Sequence, residues 1–221
     1  PNSFKYGDTR RHVRRIRVAL ADGEILDLKR GSHFANSKGI LEIPLGRRRL
    51  EVPIPRYAMP TVKHATGYYT AAGMDALDLF IGSEGTLGVI TEIEVSLLPK
   101  PEEVLAFIVF FPTEETSWRF ARLVREKSLS PHPNPLPWRG EGRVRGGETR
   151  LEARVLEYFD RGSLEFMRPK FPAIPRESRA ALFIEQETAS PHKERFADKW
   201  HKFFEREGAL KEIWEGETPE K

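Results

Sequence analysis

Asp78-Leu79-Phe80-Ile81-Gly82-Ser83-Glu84-Gly85-Thr86-Leu87-Gly88-Val89-Ile90-Thr91-Glu92 carries three glycines at three-residue spacing between an apolar helix end and an alternating strand. Each glycine either permits a positive φ or removes a side chain that would hold a neighbour away. Main-chain N–H groups freed in such a turn can face an anion such as a pyrophosphate. The pattern G-x-x-G-x-x-G is neither the dinucleotide fingerprint G-x-G-x-x-G nor a phosphate loop ending in G-K-[ST], and no lysine follows the last glycine. On spacing alone, a helix-to-strand connection without a ligand is an equal reading.

The residues themselves say more than their spacing. Gly-Ser-Glu-Gly-Thr-Leu-Gly-Val-Ile-Thr-Glu after an aspartate and apolar residues resembles the signature of the FAD-linked oxidase family, which includes D-lactate dehydrogenase and the glycolate oxidase flavin subunit. The resemblance implies an α+β chain: the second half of a PCMH-type FAD-binding domain over residues 1–100, followed by a partial ferredoxin-like cap domain over 101–221. It implies FAD as cofactor, with Gly82, Ser83, Glu84, Gly85, Thr86, Leu87, Gly88, Val89 and Ile90 along it. Ser3–Thr9, Val18–Glu24, Leu156–Asp160 and Phe183–Glu187 are similar to further parts of that family. The family's glycine-rich first lobe and its closing His-x-His motif have no counterpart here, so the chain resembles the middle of an enzyme.

The implied reaction is oxidation of a small 2-hydroxy acid by hydride transfer to flavin. The catalytic base is expected outside these residues, and an electron-transfer subunit or domain is compatible with the family. Two other readings stay open: a non-catalytic remnant unable to hold FAD alone, and a basic nucleic-acid-binding module. Against the latter, net charge is only +3 over 221 residues, and neither Arg10–Arg17 nor Arg47–Arg49 carries the interleaved aromatics of a single-strand groove. Arg15 and Arg17 alternate with Ile16, Val18 and Leu20, the pattern of a half-buried strand.

Composition, 39% hydrophobic and 31% charged, fits a soluble globular chain. The longest apolar run, Val104–Phe111, is too short to span a bilayer. With no cysteine, disulfides and thiolate metal sites are excluded within the chain, and a cytoplasmic location is the default. The six histidines form neither an i,i+4 helical pair nor H-x-H, so no metal site is expected. Lys63, His64 and Tyr68 precede the glycine turn and are candidates to approach substrate, whereas Glu84 reads as a structural acceptor rather than a base.

Hairpins are predicted around Asp22-Gly23 and around Gly46. Met74–Phe80 reads as a short helix ended by Gly82, and Val89, Thr91, Ile93, Val95 and Leu97 should share one face of a strand. Beyond Pro99-Lys100-Pro101, the spacing predicts strand Val104–Phe111, a helix capped by Thr113, and strands Ala153–Phe159 and Ala180–Glu187. A helix capped by Ser190 follows, then a last strand Leu210–Trp214, giving the order β-α-β-β-α-β. Phe196, Trp200, Phe203 and Phe204 fall on one helix face. Residues 128–149 are too rich in proline and glycine for regular structure and resemble translated repetitive elements, so a disordered insertion is expected. A polyproline ligand through Pro131, Pro133, Pro135 and Pro137 is the rival reading.

Overall fold

The computed structural model describes residues 3–60, 67–128 and 150–217. In chain order its elements are α1 (Ser3–Tyr6), β1 (Val13–Ala19), β2 (Ile25–Lys29), β3 (Ile40–Leu45), β4 (Arg48–Pro53), α2 (Leu77–Phe80) and β5 (Val89–Val95). Then come β6 (Glu103–Phe111), α3 (Glu114–Ser128), β7 (Val155–Phe159), α4 (Arg161–Met167), β8 (Ala180–Thr188), α5 (Lys193–Arg206) and β9 (Ile213–Glu217). They form two compact units, one over residues 8–98 and one over 1–7 with 99–221.

In the 8–98 unit, an antiparallel sheet of order β2-β1-β5 lies beside the hairpin β3–β4. Asp22-Gly23 turns β1 into β2 with Gly23 at φ 85°, and Gly46 at φ 57° turns β3 into β4. Both hairpins are thus where turn chemistry puts them. Ile16, Val18, Leu26 and Leu28 from the sheet and Leu41, Ile43 and Leu45 from β3 join Leu77, Leu79 and Phe80 in one core. On the outer face Arg15 pairs with Asp27, and Arg17 pairs with Glu92 at 2.6 Å. Arg48 and Arg49 are likewise bound by surface carboxylates, Asp22, Glu24 and Glu42.

β5 departs from simple alternation. Val18 pairs with Ile90 but Arg17 with Glu92, so Thr91 is an extra residue and the ladder shifts there. Such a bulge reverses the facing of everything beyond it. Ile93 therefore opposes Ile16 on the core side while Val89 opposes Ala19 on the other, and the expected common face of Val89 and Ile93 is not formed. β5 is an edge strand of its sheet, and Val89 and Ile93 are 66% and 57% exposed.

The other unit is a four-stranded antiparallel sheet of order β7-β8-β6-β9, built in the expected sequence β-α-β-β-α-β with α4 as one further helix. Leu105, Phe107, Val109 and Phe111 of β6 and Leu182 and Ile184 of β8 meet Phe120 of α3 and Phe196, Trp200, Phe203 and Phe204 of α5. Thr113 caps α3, its hydroxyl accepting the Thr116 N–H at 3.2 Å. Ser128 closes α3 rather than opening a loop, its Oγ accepting the Ala153 N–H at 2.9 Å. The rest of the proline-rich stretch, 129–149, with His132 and the four prolines, lies outside the described residues.

Two expectations at the last helix fail for a local reason. Ser190 does not cap α5; residues Ser190–His192 form a separate 3-10 turn, and the Ser190 hydroxyl donates to Glu103 Oε1 at 2.7 Å. The last strand begins at Ile213, three residues later than expected, because Leu210 N–H instead bonds Phe110 O at 2.8 Å.

On the opposite side of β8, α1 contributes a polar cluster: Tyr6 Oη donates to Glu187, and Lys5 Nζ lies 2.7 Å from the same carboxylate. Arg154 binds Glu185 at 3.0 Å. Burial, and then the hydrogen bond to Glu187, push the Tyr6 phenol well above its ordinary range.

Candidate functional site

The glycine turn follows α2, whose four residues are all buried and fix its start. Asp75 anchors the approach: one carboxylate oxygen accepts the Leu77 N–H at 3.0 Å and the other the Gly31 N–H at 2.6 Å. Arg10 then clamps the end of α2. Its guanidinium donates to the main-chain oxygens of Asp78 and, at 2.9 Å, Ile81, and stacks 4.2 Å from the Tyr69 ring centroid. The Asp78 carboxylate is shared between Arg30 at 2.7 Å and Arg10 at 3.5 Å. Arg10, in sequence one arginine of a cluster, is thus a partly buried clamp on the turn. A planar fork reaching two carbonyls at once is something lysine cannot reproduce.

Arg10→Ala should therefore cost about 2–4 kcal/mol, since it strips two carbonyls and part of the pairing of a buried carboxylate. Arg10→Lys should recover less than half of that. Urea unfolding of the three proteins measures it; equal midpoints would show the clamp to be dispensable.

Within the turn, left-handed φ values occur at Gly82 (83°), Glu84 (53°) and Gly85 (79°). Glu84 is the one described non-glycine residue so placed. Ser83 is buried and does the bonding inside the turn: its carbonyl accepts the Thr86 N–H at 3.0 Å and the Thr86 hydroxyl at 2.6 Å. Tyr68 Oη adds a bond to Thr86 Oγ1 at 2.7 Å. The expected acceptor, Glu84, makes no hydrogen bond among the described residues; its side chain is exposed. Ser83 takes that role because a buried main-chain oxygen beside two donors needs no side chain to reach back.

The three glycines have different work. A Cβ on Gly82 or Gly85 would meet nothing within 4 Å, so both face open space. A Cβ on Gly88, at φ 148°, would lie 2.7 Å from Ala19 O and 2.7 Å from Val18 Cγ1. Gly88 is thus needed for the close approach of the turn to β1. The amides of Gly82, Glu84 and Gly85 donate to no acceptor among the described residues. Exposed amides around left-handed residues form concavities suited to an anion, and the segment fits a cofactor held through its phosphate groups.

The structure thus brings Gly82 to Gly88 and Tyr68 together, while Val89 and Ile90 belong to β5 and point to opposite sides of it. Lys63 and His64 lie outside the described residues. Among the described residues no cluster of His, Asp and Glu is placed to hold a metal ion, and no helix is long and apolar enough to cross a membrane.

No family model matches the chain. Single proteins do. A probable mitochondrial D-lactate dehydrogenase of Danio rerio is 34% identical over 116 residues, 52% of this chain and 17% of that protein. Glycolate oxidase subunit GlcD of Bacillus subtilis is 34% identical over 99 residues, 45% of this chain and 14% of its own length. The mitochondrial D-lactate dehydrogenase [cytochrome] of Arabidopsis thaliana reaches 52% over 44 residues, 20% of this chain and 8% of its own. The matches to the first two span about a sixth of the relatives' length. Among solved structures, alkyldihydroxyacetonephosphate synthase aligns with 99% of this chain and 32% of its own, at 15% identity and a TM-score of 0.51. The chain is accordingly a distant homologue, over part of its length and at superfamily level, of the D-lactate dehydrogenases and glycolate oxidases, and its α+β fold is shared with part of the synthase structure.

Proposed function

We propose that the chain is part of an FAD-dependent oxidoreductase acting on a small 2-hydroxy acid, with the main chain from Gly82 to Ile90 against the cofactor. One observation carries this: an exposed turn whose free amides and bare glycine faces coincide with the stretch that resembles the FAD-linked oxidases. In this reading, residues 8–98 are flavin-domain structure and the four-stranded unit is the partial cap. The chain's own part is positioning. Ser83, Thr86 and Tyr68 brace the turn, Arg10 fixes its entry, and the amides of Gly82, Glu84 and Gly85 hold the anionic groups of the cofactor. FAD, when bound, supplies a hydride acceptor for the substrate α-carbon. Glu84 sits on the cofactor wall, and the proton acceptor comes from elsewhere in the enzyme.

A second reading follows from the same exposure. Small-molecule sites enclose most of their ligand, and this turn offers one open wall. The polypeptide alone should then hold FAD weakly and purify without the visible flavin spectrum. Adding FAD to 15N-labelled chain should still shift the Gly82, Glu84 and Gly85 amide resonances saturably. If those three signals stay fixed at millimolar FAD, the flavin contact is wrong.

A further inference from the structure

The stretch that closes α4 and runs on from it, Phe166-Met167-Arg168-Pro169-Lys170-Phe171-Pro172-Ala173-Ile174-Pro175-Arg176, contains only apolar residues, prolines and cations. Its aromatic side chains do not turn inward: Phe166 is 86% exposed and Phe171 44%, although aromatic rings are among the side chains that gain most from leaving water. The segment is nevertheless well anchored. Ile174 is set into the core formed by Phe110, Leu164 and Ala181. The Arg168 guanidinium donates to Pro175 O at 3.1 Å and Ser178 O at 3.0 Å, which folds residues 175–178 back beside the end of α4. The Phe171 N–H bonds Met167 O at 2.9 Å, so positions 166 and 171 stay at that same end. The Phe171 ring leans on Trp214, with centroids 6.5 Å apart, and Lys170 Nζ lies 5.7 Å from its centroid.

The main chain here supplies its own bonds. Pro169, Pro172 and Pro175 have no N–H, and the N–H groups of Lys170, Phe171 and Ile174 bond to carbonyls within the segment at 3.0, 2.9 and 3.1 Å. Taking such a segment out of bulk water leaves few peptide groups without a partner. Anchored, internally bonded backbone with aromatic tips and cations beside them is suited to the boundary between water and lipid, where rings sit among the headgroups and long basic side chains reach the phosphates.

We propose that residues 166–176 dock the chain on a membrane surface rich in anionic lipid, with Phe166 and Phe171 in the headgroup layer and Lys170 and Arg176 against the lipid phosphates. The chain lies on the bilayer without crossing it. Charge favours lipid as the occupant: no carboxylate interrupts 166–176, and Glu165 at its border is bonded to Arg161 at 2.7 Å. Each cation held near an anionic leaflet strengthens the attraction, which decays within a Debye length. The segment shares no residue with the glycine turn, so its fate is separate from the flavin reading.

Sedimentation of the full chain with vesicles tests this, comparing equimolar phosphatidylcholine and phosphatidylserine with phosphatidylcholine alone. Binding to the anionic vesicles is expected, weakening as salt rises and at least about ten-fold tighter than to the neutral ones. Phe166→Ser should lower that affinity about five-fold. The double variant Lys170→Gln, Arg176→Gln should lower it about ten-fold. All three side chains are exposed, and an unchanged far-ultraviolet circular dichroism spectrum would show the variants folded. No sedimentation at millimolar lipid, equal binding to both kinds of vesicle, or an affinity that either variant leaves unchanged overturns the proposal. So does loss of self-association in Phe166→Ser with vesicle binding intact, which would assign the patch to a second copy of the chain.

Discussion

Gly88→Ala is expected to destabilise the 8–98 unit by about 4 kcal/mol, from backbone strain and overpacking of about 1–3 kcal/mol each. The added methyl would stand 2.7 Å from the Ala19 carbonyl oxygen, in a strand whose ladder to β5 cannot retreat without breaking. Gly85→Ala provides the contrast. Its φ of 79° is unfavourable for alanine, but its Cβ meets nothing, so only the conformational cost of about 1–2 kcal/mol remains. Amide exchange in β1 and β5 measures both. Faster exchange in Gly88→Ala than in Gly85→Ala is the predicted order; the reverse would mean that the approach to β1 is not what requires glycine.

Trp200→Ala should remove a comparable amount from the other unit, about 3–5 kcal/mol as for large aromatic truncations in packed cores. Trp200 is 1% exposed, stacks on Phe204 at 5.4 Å and touches Phe107 and Phe203 at centroid distances of 6.3 and 6.0 Å. Its Nε1–H donates to Gln186 Oε1 at 2.8 Å, an oxygen that also accepts the Glu152 N–H at 3.0 Å. That oxygen therefore keeps one partner after the truncation, and Gln186 Nε2 still donates to Arg150 O at 3.3 Å, which limits the polar part of the loss. Trp200→Phe retains most of the apolar contact and should cost about 1–2 kcal/mol. All four tryptophans lie beyond residue 98, so tryptophan fluorescence during urea unfolding reports on this unit. A loss below about 1 kcal/mol for the alanine variant would show that the α5 face packs loosely.

What could be read from the residues was what local chemistry determines. Asp22-Gly23 forces a tight turn wherever it stands, and Phe196, Trp200, Phe203 and Phe204 recur at the helical period, so β1–β2 and the buried face of α5 were legible. α4 was not: it buries only Leu164 among its seven residues and contains Gly162, leaving no periodic stripe. Asp160, whose side chain accepts the Ser163 N–H at 2.7 Å, was the available signal. The Thr91 bulge was hidden because it depends on the partner strand, and Ser190 preferred Glu103, 87 residues away, to its own helix.

At the glycine turn the same division holds. The three glycines announced an exceptional backbone, but their separate roles are set by what lies opposite each, and Ala19 is 69 positions from Gly88 in sequence. Arg10 looked like part of a solvated run because its neighbours are arginines. Its partners, the carbonyls of Asp78 and Ile81, are main-chain atoms that every sequence possesses and none advertises.

β5 has a consequence for the behaviour of the polypeptide in solution. Its outer row of peptide groups is a template onto which another extended segment can add, and the branched apolar side chains of Val89, Ile93 and Val95 make that margin adhesive. Only the glutamates at 92 and 94 act there as gatekeepers, and Arg17 engages the first of them. Self-association of the isolated chain by strand addition is therefore expected to grow with its concentration and with any salt that screens those two charges, and sedimentation velocity over a concentration series checks it.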